Sequence, residues 1–350
     1  MTRDQETAAV RPGEDLDWPA VEDYLRAQLS LDGEFSVLQF PNGSANLTYQ
    51  VRFGDTRLVL RRPPFGRLAP GAHDMRREYR ALSRLWRAYP RAPRAFLFCD
   101  DHSVAGADFL VMEYRSGIVV WDSIPAAIDG PDAGRRVGLA VIDALADLHR
   151  VDPGECGLGD LGRPEGFLAR QVSGWRKRWE LAAVGSDPRV TELGERLAGR
   201  LPRSGPPAVL HNDFKIDNCQ FAPGDPDHVV SVFDWDMATL GDPLVDLGTL
   251  LNYWPDPEFG DAGALAALKL SDLGLPSREE LVTRYADRAG RSVSDVDWYE
   301  AYGCFKTVVV LQQLYGRYLR GETTDERMAS RGEHIPVLTR RGLARLGAIV

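Results

Sequence analysis

The chain has 350 residues, of which 44% are hydrophobic and 27% charged, and its formal net charge is −9. This composition is typical of a globular protein with one large domain or two lobes, and it argues against disordered, fibrous and collagen-like chains. The net negative charge also argues against nonspecific binding of nucleic acids.

The cysteines and the apolar segments exclude three further classes of protein. The four cysteines are widely spaced and form no C-x-x-C pair, so neither a disulfide framework nor a zinc site is expected. No apolar run approaches the roughly 20 residues that a membrane-spanning helix requires. The polar N-terminus lacks the apolar core of a signal peptide. These features predict a cytoplasmic protein with no membrane or nucleic-acid partner, and they leave its oligomeric state open.

The first third of the chain is predicted to be rich in β-structure. Residues 1–14 are polar and expected to fray, and Asp17 is placed to cap a helix that continues to Leu29. Alternating apolar residues then predict strands that are separated by turns and, once, by a helix with an apolar stripe. The predicted strands are 35–40, 48–53, 58–61, 96–98 and 109–112, and the helix is 73–88.

From about residue 118 the apolar pattern becomes helical. Helices are predicted at 132–149, 164–184, 187–201, 242–253, 277–289, 294–319 and 324–346, with short strands at 208–210, 219–222 and 229–233. The fold class is therefore predicted to be α+β, with a small β-rich N-terminal lobe (1–114) and a larger α-helical C-terminal lobe (115–350). A ligand is expected to bind in a cleft between two such lobes.

The strongest chemical signal is the segment from His211 to Asn218, which follows an apolar strand with the spacing H-x-D-x-K-x-x-N. In phosphoryl transfer an aspartate orients the attacking hydroxyl and accepts its proton, which is the role predicted for Asp213. Lys215 is placed to neutralise the moving phosphoryl group, and Asn218 to give an oxygen to Mg²⁺. His211 is assigned to bracing the loop or to contacting substrate. By itself the pattern also fits a polar loop between two strands.

A second acidic motif follows in the expected order. The predicted strand 229–233 runs directly into Asp234, a position at which kinases hold Mg²⁺. Because magnesium takes few ligands from a protein, Asn218 and Asp234 would suffice. Asp236 fits either a contact with the acceptor or support of the loop. Asp246 is expected to hydrogen-bond the Asp213 segment as an architectural residue.

Two features of the N-terminal half fit a nucleotide. The turn Asn42–Asn46 is small and polar, so that backbone N–H groups near Ser44 and Asn46 could lie over phosphates. Kinases use a basic residue on the third strand for the same phosphates. No lysine occurs in the first half of the chain, so arginine must take this role. Arg61 is preferred to Arg62 because Arg62 directly precedes a proline.

The helix after this strand offers an acidic partner. At about 100° per residue, Glu78 falls on the apolar face beside Leu82 and Leu85. A carboxylate on a core face is costly unless it is paired, and either Arg61 or Arg62 could pair with it. The arginines on the opposite face fit a solvated surface or a patch for a second phosphorylated ligand.

Taken together, these motifs resemble those of the aminoglycoside phosphotransferase (APH) and choline kinase-like enzymes, which share the bilobal fold of eukaryotic protein kinases. The resemblance runs from about Val37 to Leu251. Within the family the chain is most similar to a branch resembling the kinase portion of the acyl-CoA dehydrogenase-fused proteins. Two positions depart from the family pattern: Arg61 stands where the resistance enzymes have lysine, and Asn212 replaces the usual glycine.

The resemblance implies a role for each matching residue and implies ATP and Mg²⁺ as cofactors. The implied roles are Asp213 as catalytic aspartate, Asn218 and Asp234 as Mg²⁺ ligands, Arg61 and Glu78 as the nucleotide pair, and Met112, Glu113 and Tyr114 as backbone contacts of adenine. The leading hypothesis is an ATP-dependent phosphotransferase that acts on a hydroxyl of a small molecule, either hydroxyacyl-CoA-like or aminoglycoside-like. Two alternatives stay open: a non-catalytic nucleotide-binding regulator, and a protein kinase, although the chain has no A-P-E segment.

Overall fold

The computed structural model describes residues 7–41, 46–66, 74–182, 187–259, 270–322 and 326–347. Contacts divide the chain into two compact units. The first unit comprises Met1–Ser116 and Phe233–Ala238, and the second comprises Gly117–Val232 and Thr239–Val350. The short segment 233–238, which the sequence placed in a C-terminal lobe, therefore groups with the N-terminal residues.

The first unit is built on one antiparallel sheet of five strands with the order β1-β2-β3-β5-β4. The strands are β1 (Phe35–Gln39), β2 (Leu47–Phe53), β3 (Thr56–Arg62), β4 (Ala95–Cys99) and β5 (Phe109–Glu113), and the helices are α1 (Trp18–Leu29), α2 (Met75–Leu85) and α3 (His102–Ala105). The carboxylate of Asp17 accepts a hydrogen bond from the Ala20 N–H at 3.2 Å, so it caps α1 as the sequence predicts.

The central position of β3 fixes the backbone of Arg61. This residue lies opposite Thr48 of β2 on one side and Leu110 of β5 on the other. Buried side chains from the same strands, such as Leu60 and Val111, form the core of the unit. The strand that carries Arg61 is therefore paired on both sides, within a sheet whose core is apolar.

The second unit is mainly helical. Its helices are α4 (Ala133–His149), α5 (Phe167–Ala182), α6 (Pro188–Gly199), α7 (Leu244–Tyr253), α8 (Arg278–Ala289), α9 (Val296–Leu319), α10 (Glu326–Ala329) and α11 (Arg331–Gly347). Its strands are β6 (Ile118–Val119), β7 (Ala208–Leu210), β8 (Cys219–Ala222), β9 (Asp225–Val232) and β10 (Thr239–Gly241). They form a β10-β7 pair and a β6-β8-β9 sheet, both antiparallel. The long helix α9 is buried along most of its length and packs against α5, α6, α7 and α11.

The α+β prediction is confirmed, and the differences are local. The helix predicted over 324–346 is two helices that separate near Ser330, where Gly332 packs against the ring of Tyr315 and a β-carbon would come within about 3.0 Å of that ring. The strand predicted at 229–233 begins earlier, at Asp225. The strands β6 and β10 and the helix α3 were not predicted because each is too short to show a period. No helix in the described ranges is long and apolar enough to cross a membrane.

Candidate active site

Four polar side chains of the first unit gather around the guanidinium of Arg61, and we call the five residues the Arg61 cluster: Asn46, Arg61, Glu78, Asp234 and Asp236. Arg61 Nη1 lies 3.2 Å from Glu78 Oε1, and Arg61 Nη2 donates a short hydrogen bond to Asp234 Oδ1. Asp236 Oδ2 is 3.9 Å from the same guanidinium and accepts a hydrogen bond from Asn46 Nδ2 at 3.2 Å. The structure thus brings together residues that are up to 190 positions apart.

The pairing of Arg61 answers a question that the sequence left open. Successive side chains of a strand point to opposite faces, so only one of two adjacent arginines can reach Glu78. Arg61 pairs with Glu78, whereas Arg62 donates through Nη1 to the Ala105 carbonyl at 2.7 Å and lies over the ring of Phe65.

Burial and charge oppose each other inside the Arg61 cluster. Glu78 is completely buried, and its burial raises its pKa to about 7 although the Arg61 guanidinium opposes the shift. Burial would lower the pKa of Arg61, but the carboxylates of Asp234, Glu78 and Asp236 outweigh it and raise that pKa. The cluster contains three carboxylates and one guanidinium, which is a formal charge of −2 when all are ionised. It has the charge that one divalent cation would neutralise.

A second group of polar residues lies in the other unit, on the segment from His211 to Asn218, which we call the Asp213 loop. The loop begins where β7 ends, and its backbone is held by Asp246 of α7. Asp246 accepts hydrogen bonds from the N–H groups of His211 and Asn212, both at 2.7 Å. The imidazole of His211 in turn accepts from the Asp213 N–H at 3.2 Å. These contacts are those expected of residues that support a loop.

The charge of Asp246 is maintained by its hydrogen bonds. Burial would raise the pKa of this carboxyl, but the hydrogen bonds from His149 and His211 outweigh burial and hold the pKa below its usual range. His149, at the end of α4, lies 3.3 Å from Asp246 and 2.7 Å from the Tyr285 hydroxyl. An ionised Asp246 is therefore available to hold two backbone N–H groups of the loop.

The carboxylate of Asp213 is partly exposed and has a defined set of neighbours. Its side chain is 24% exposed, with Oδ2 at 3.3 Å from Lys215 Nζ and Oδ1 at 3.4 Å from the Tyr253 hydroxyl. The Asn218 amide nitrogen donates to the Asp213 carbonyl at 2.9 Å, which leaves the Asn218 amide oxygen for a hard cation. Burial raises the pKa of the neighbouring Asp217, although Lys215 at 3.6 Å opposes the shift.

Backbone strain coincides with the two acidic motifs. Asn212 has φ +64° and Asp234 has φ +73°, both in the left-handed region that residues with a β-carbon rarely adopt. Such conformations persist only where the surroundings hold them, and they often occur at functional sites. At Asn212 the replacement of the family's usual glycine therefore has a conformational cost, although asparagine tolerates this region better than most residues.

The remaining predicted site residues lie at the ends of elements or outside the described ranges. Ser44 is among the residues that the structure does not describe. Met112 lies opposite Val59 in the β3–β5 ladder, and the Glu113 N–H donates to the Arg94 carbonyl at 2.8 Å. The ring of Tyr114 lies under the Arg57 guanidinium at 4.3 Å. Their predicted contact with adenine stays a prediction.

Two residues at the Asp213 loop were not selected from the sequence: Tyr253 and Lys306. Tyr253 is the last residue of α7, and Lys306 lies on α9. Nothing in their local pattern marks them, because they reach the loop through the tertiary packing of the helices. Composition gives one signal. The chain has only four lysines among its 42 basic residues, and two of the four, Lys215 and Lys306, lie at this loop.

Comparison with known proteins assigns the class. The model of the phosphotransferase enzyme family, APH, matches residues 36–281, and the chain belongs to this family. The resemblance predicted from the motifs is therefore confirmed.

The curated relatives are longer than this chain. Acyl-CoA dehydrogenase family member 11 of Gallus gallus is 35% identical over 318 residues, a match that covers 89% of this chain and 40% of the chicken protein. The chain spans less than half the length of the curated relatives it matches.

Solved structures give the same fold. A crystal structure of a Ralstonia eutropha JMP134 protein, provisionally named an aminoglycoside phosphotransferase, has a TM-score of 0.79 and 28% identity, and the match covers 95% of this chain and 99% of that one. The aminoglycoside phosphotransferase APH(4)-Ia, solved with AMP-PNP and hygromycin B, has a TM-score of 0.58 at 15% identity, with 92% and 99% covered. At that identity the second likeness establishes the fold alone.

Proposed function

We propose that this phosphotransferase moves the γ-phosphoryl group of ATP to a hydroxyl group of a small molecule. The observation that carries the proposal is the carboxylate of Asp213, which is partly exposed and follows two residues, His211 and Asn212, whose N–H groups Asp246 holds in place. In the proposed reaction Asp213 accepts the hydroxyl proton as the acceptor oxygen bonds to the γ-phosphorus. The bond from that phosphorus to the β–γ bridging oxygen breaks, and ADP leaves with the electron pair.

Lys215 is proposed to stabilise the charge that develops on the transferred group. Its amine lies 3.3 Å from Asp213 Oδ2 and 3.6 Å from Asp217 Oδ2, so Asp217 helps to hold it beside the reacting carboxylate of Asp213. Electrostatic stabilisation by such a pre-placed cation is a large part of catalysis when the transferred group is a phosphoryl.

The residues present fit Mg²⁺ and a nucleotide. The Arg61 cluster has a formal charge of −2, and its Asp234 carboxylate is 30% exposed. Asp234 and the amide oxygen of Asn218 are the hard oxygen ligands that we propose for the metal, which would neutralise phosphate charge when bound. Arg61, steadied by Glu78, is proposed to contact the phosphates through its planar fork. The complex of APH(4)-Ia with AMP-PNP supports an adenine nucleotide as donor.

Hydroxyacyl-CoAs and aminoglycosides both carry a hydroxyl group that could accept the phosphoryl group. Of these two classes we propose a hydroxylated acyl-CoA as the acceptor. The names of the curated relatives contain acyl-CoA dehydrogenase, which makes acyl-CoA compounds the first acceptors to test. An aminoglycoside is polycationic and needs free carboxylates. Segment 255–300 is acidic, but Asp256 and Glu280 are paired with Arg345 and Arg135 at 2.5 and 2.7 Å. The acidity of this segment is thus partly used for internal ion pairs.

A mass-spectrometric phosphorylation screen tests the proposal. Wild type and Asp213→Asn are incubated with Mg-ATP and pools of hydroxyacyl-CoAs, aminoglycosides, amino alcohols and sugars. We expect a product heavier by one phosphate with wild type alone, while both proteins bind Mg-ATP. Equal turnover by Asp213→Asn would contradict the role of Asp213.

A nucleotide-binding regulator is the second candidate. It is favoured by Arg61, an arginine that stands where the resistance enzymes have lysine and whose planar fork differs in geometry from an amine. Binding of Mg-ATP without turnover of any pool would support this candidate.

A further inference from the structure

The amine of Lys306 is buried in the second unit with a specific partner. Lys306 lies on α9 and is 8% exposed, and its Nζ donates a short hydrogen bond to the backbone carbonyl of Asn212. Within the described part of the chain, no carboxylate pairs with this amine. Burial lowers its pKa although the charges of Asp213 and Asp246 oppose the shift. Burying an amine without a paired carboxylate costs free energy, so the position of Lys306 calls for an explanation.

The partner residue has a backbone conformation that requires support. Asn212 has φ +64°, which a β-carbon disfavours. Its N–H donates to Asp246 of α7 at 2.7 Å, and its carbonyl accepts from Lys306 of α9. Both polar groups of one residue are thus held by two different helices. The carbonyl that Lys306 holds belongs to the peptide bond that leads directly into Asp213.

We propose that Lys306 is a positioning residue, which keeps the peptide bond between Asn212 and Asp213 in one orientation and so fixes the direction of the Asp213 carboxylate. The expected effect of Lys306 on turnover rests on the proposed function, whereas its expected effect on the structure of the loop is independent of that function. Since a small misplacement of a reacting group lowers the rate strongly, the hydrogen bond acts on kcat and leaves nucleotide affinity unchanged.

The composition of the chain agrees with this role. Arginine is used at 38 of the 42 basic positions, yet a lysine stands at residue 306. A single carbonyl oxygen in a buried position is matched by the compact ammonium group of lysine, whereas the broad fork of arginine is suited to carboxylates and phosphates.

Hydrogen exchange tests the placement without any assumption about substrate. The full chain is compared as wild type, Lys306→Met and the matched control Lys177→Met, in which the lysine lies exposed on α5. We expect amides of 211–218 to exchange about fivefold faster or more in Lys306→Met, since one buried hydrogen bond is lost, and to be unchanged in Lys177→Met. Unchanged exchange of this segment in Lys306→Met would overturn the proposal. If that variant does not fold, Lys306→Leu, which also lacks a donor, replaces it with the same expected direction.

Turnover then distinguishes positioning from a general structural role. We expect Lys306→Met to lower kcat by about tenfold or more with KM for Mg-ATP within about twofold. In an Asn212→Gly background, where no β-carbon opposes the left-handed conformation, the loss caused by Lys306→Met should be at least about threefold smaller. An equal loss in both backgrounds would contradict the proposal. If wild type transfers no phosphate to any acceptor, the proposed function fails while the exchange result still decides the role of Lys306.

Discussion

The Arg61 cluster and the Asp213 loop are each stabilised by a different kind of interaction. In the Arg61 cluster one guanidinium faces three carboxylates, and Arg61 Nε is buried without a hydrogen-bond partner among the described residues. The Asp213 loop is held by directed hydrogen bonds of its backbone: two N–H groups donate to Asp246, and one carbonyl accepts from Lys306. The first arrangement depends on the balance of charge and the second on geometry.

This difference fits the two tasks that we propose. A cluster with excess negative charge can take up a cation, and its members can change partners when a charged ligand binds. A loop whose backbone groups are satisfied by helices keeps its shape whether or not a ligand is present. The nucleotide phosphates and the metal ligand Asp234 are therefore assigned to a region that responds to charge. The proton acceptor Asp213 and the metal ligand Asn218 are assigned to a region that is organised in advance.

Removal of the guanidinium should give the largest effect. Arg61→Met leaves the buried Glu78 without its cation, and breaking a buried ion pair typically costs about 3–5 kcal/mol. We expect a loss of that order in the free energy of unfolding at pH 7.5, measured by urea denaturation. Arg57→Met, an exposed position on the same strand, is the matched control and should lose less than about 1 kcal/mol. Equal losses in the two variants would show that charge does not hold the cluster.

A smaller effect should appear in the pH dependence of stability. Burial raises the pKa of Glu78 from 4.5 to about 7, so between these values the folded state binds a proton that the unfolded state lacks. Stability from this group is present at low pH and is lost as the pH rises through about 7. The stability of wild type relative to Glu78→Gln should therefore fall with rising pH, by up to about 3 kcal/mol.

The measurement is urea denaturation of both proteins at pH 5 and pH 7.5. The quantity compared is how the difference in free energy of unfolding between the two proteins changes with pH. Its value at a single pH also contains the difference in pairing with Arg61. A difference that stays constant between the two pH values would show that Glu78 is ionised throughout.

The sequence predicted most of the contacts within the two regions, including that of Asp246 with the Asp213 loop, but it did not predict the contact of Lys306. The helical period placed Glu78 on a buried face and required an arginine partner, which the structure identifies as Arg61. The strand 208–210 before the Asp213 loop was also predicted with its observed bounds. Lys306 was missed because it lies 94 residues from its partner in a continuous helix, and local periodicity carries no information about such packing.

The sequence also did not predict the shortest elements, or that segment 233–238 belongs to the first unit. The strand β10 has three residues and pairs with β7, which no local pattern indicates. The segment 233–238 groups with the first unit because Trp235 packs edge-on against Tyr89 at 6.1 Å and Asp234 contacts Arg61. Each of these features depends on contacts between distant residues.

Calorimetric titration of Mg-ATP into wild type, Arg61→Met and Asp213→Asn tests the central claim most directly, after each variant is shown to be folded by circular dichroism. The account predicts that Asp213→Asn binds Mg-ATP with a Kd within about threefold of wild type, because its carboxylate acts on the acceptor. It predicts at least about tenfold weaker binding by Arg61→Met, since a charge-assisted contact with phosphate is lost. Wild-type affinity in Arg61→Met, or loss of binding in Asp213→Asn, would contradict this division of tasks.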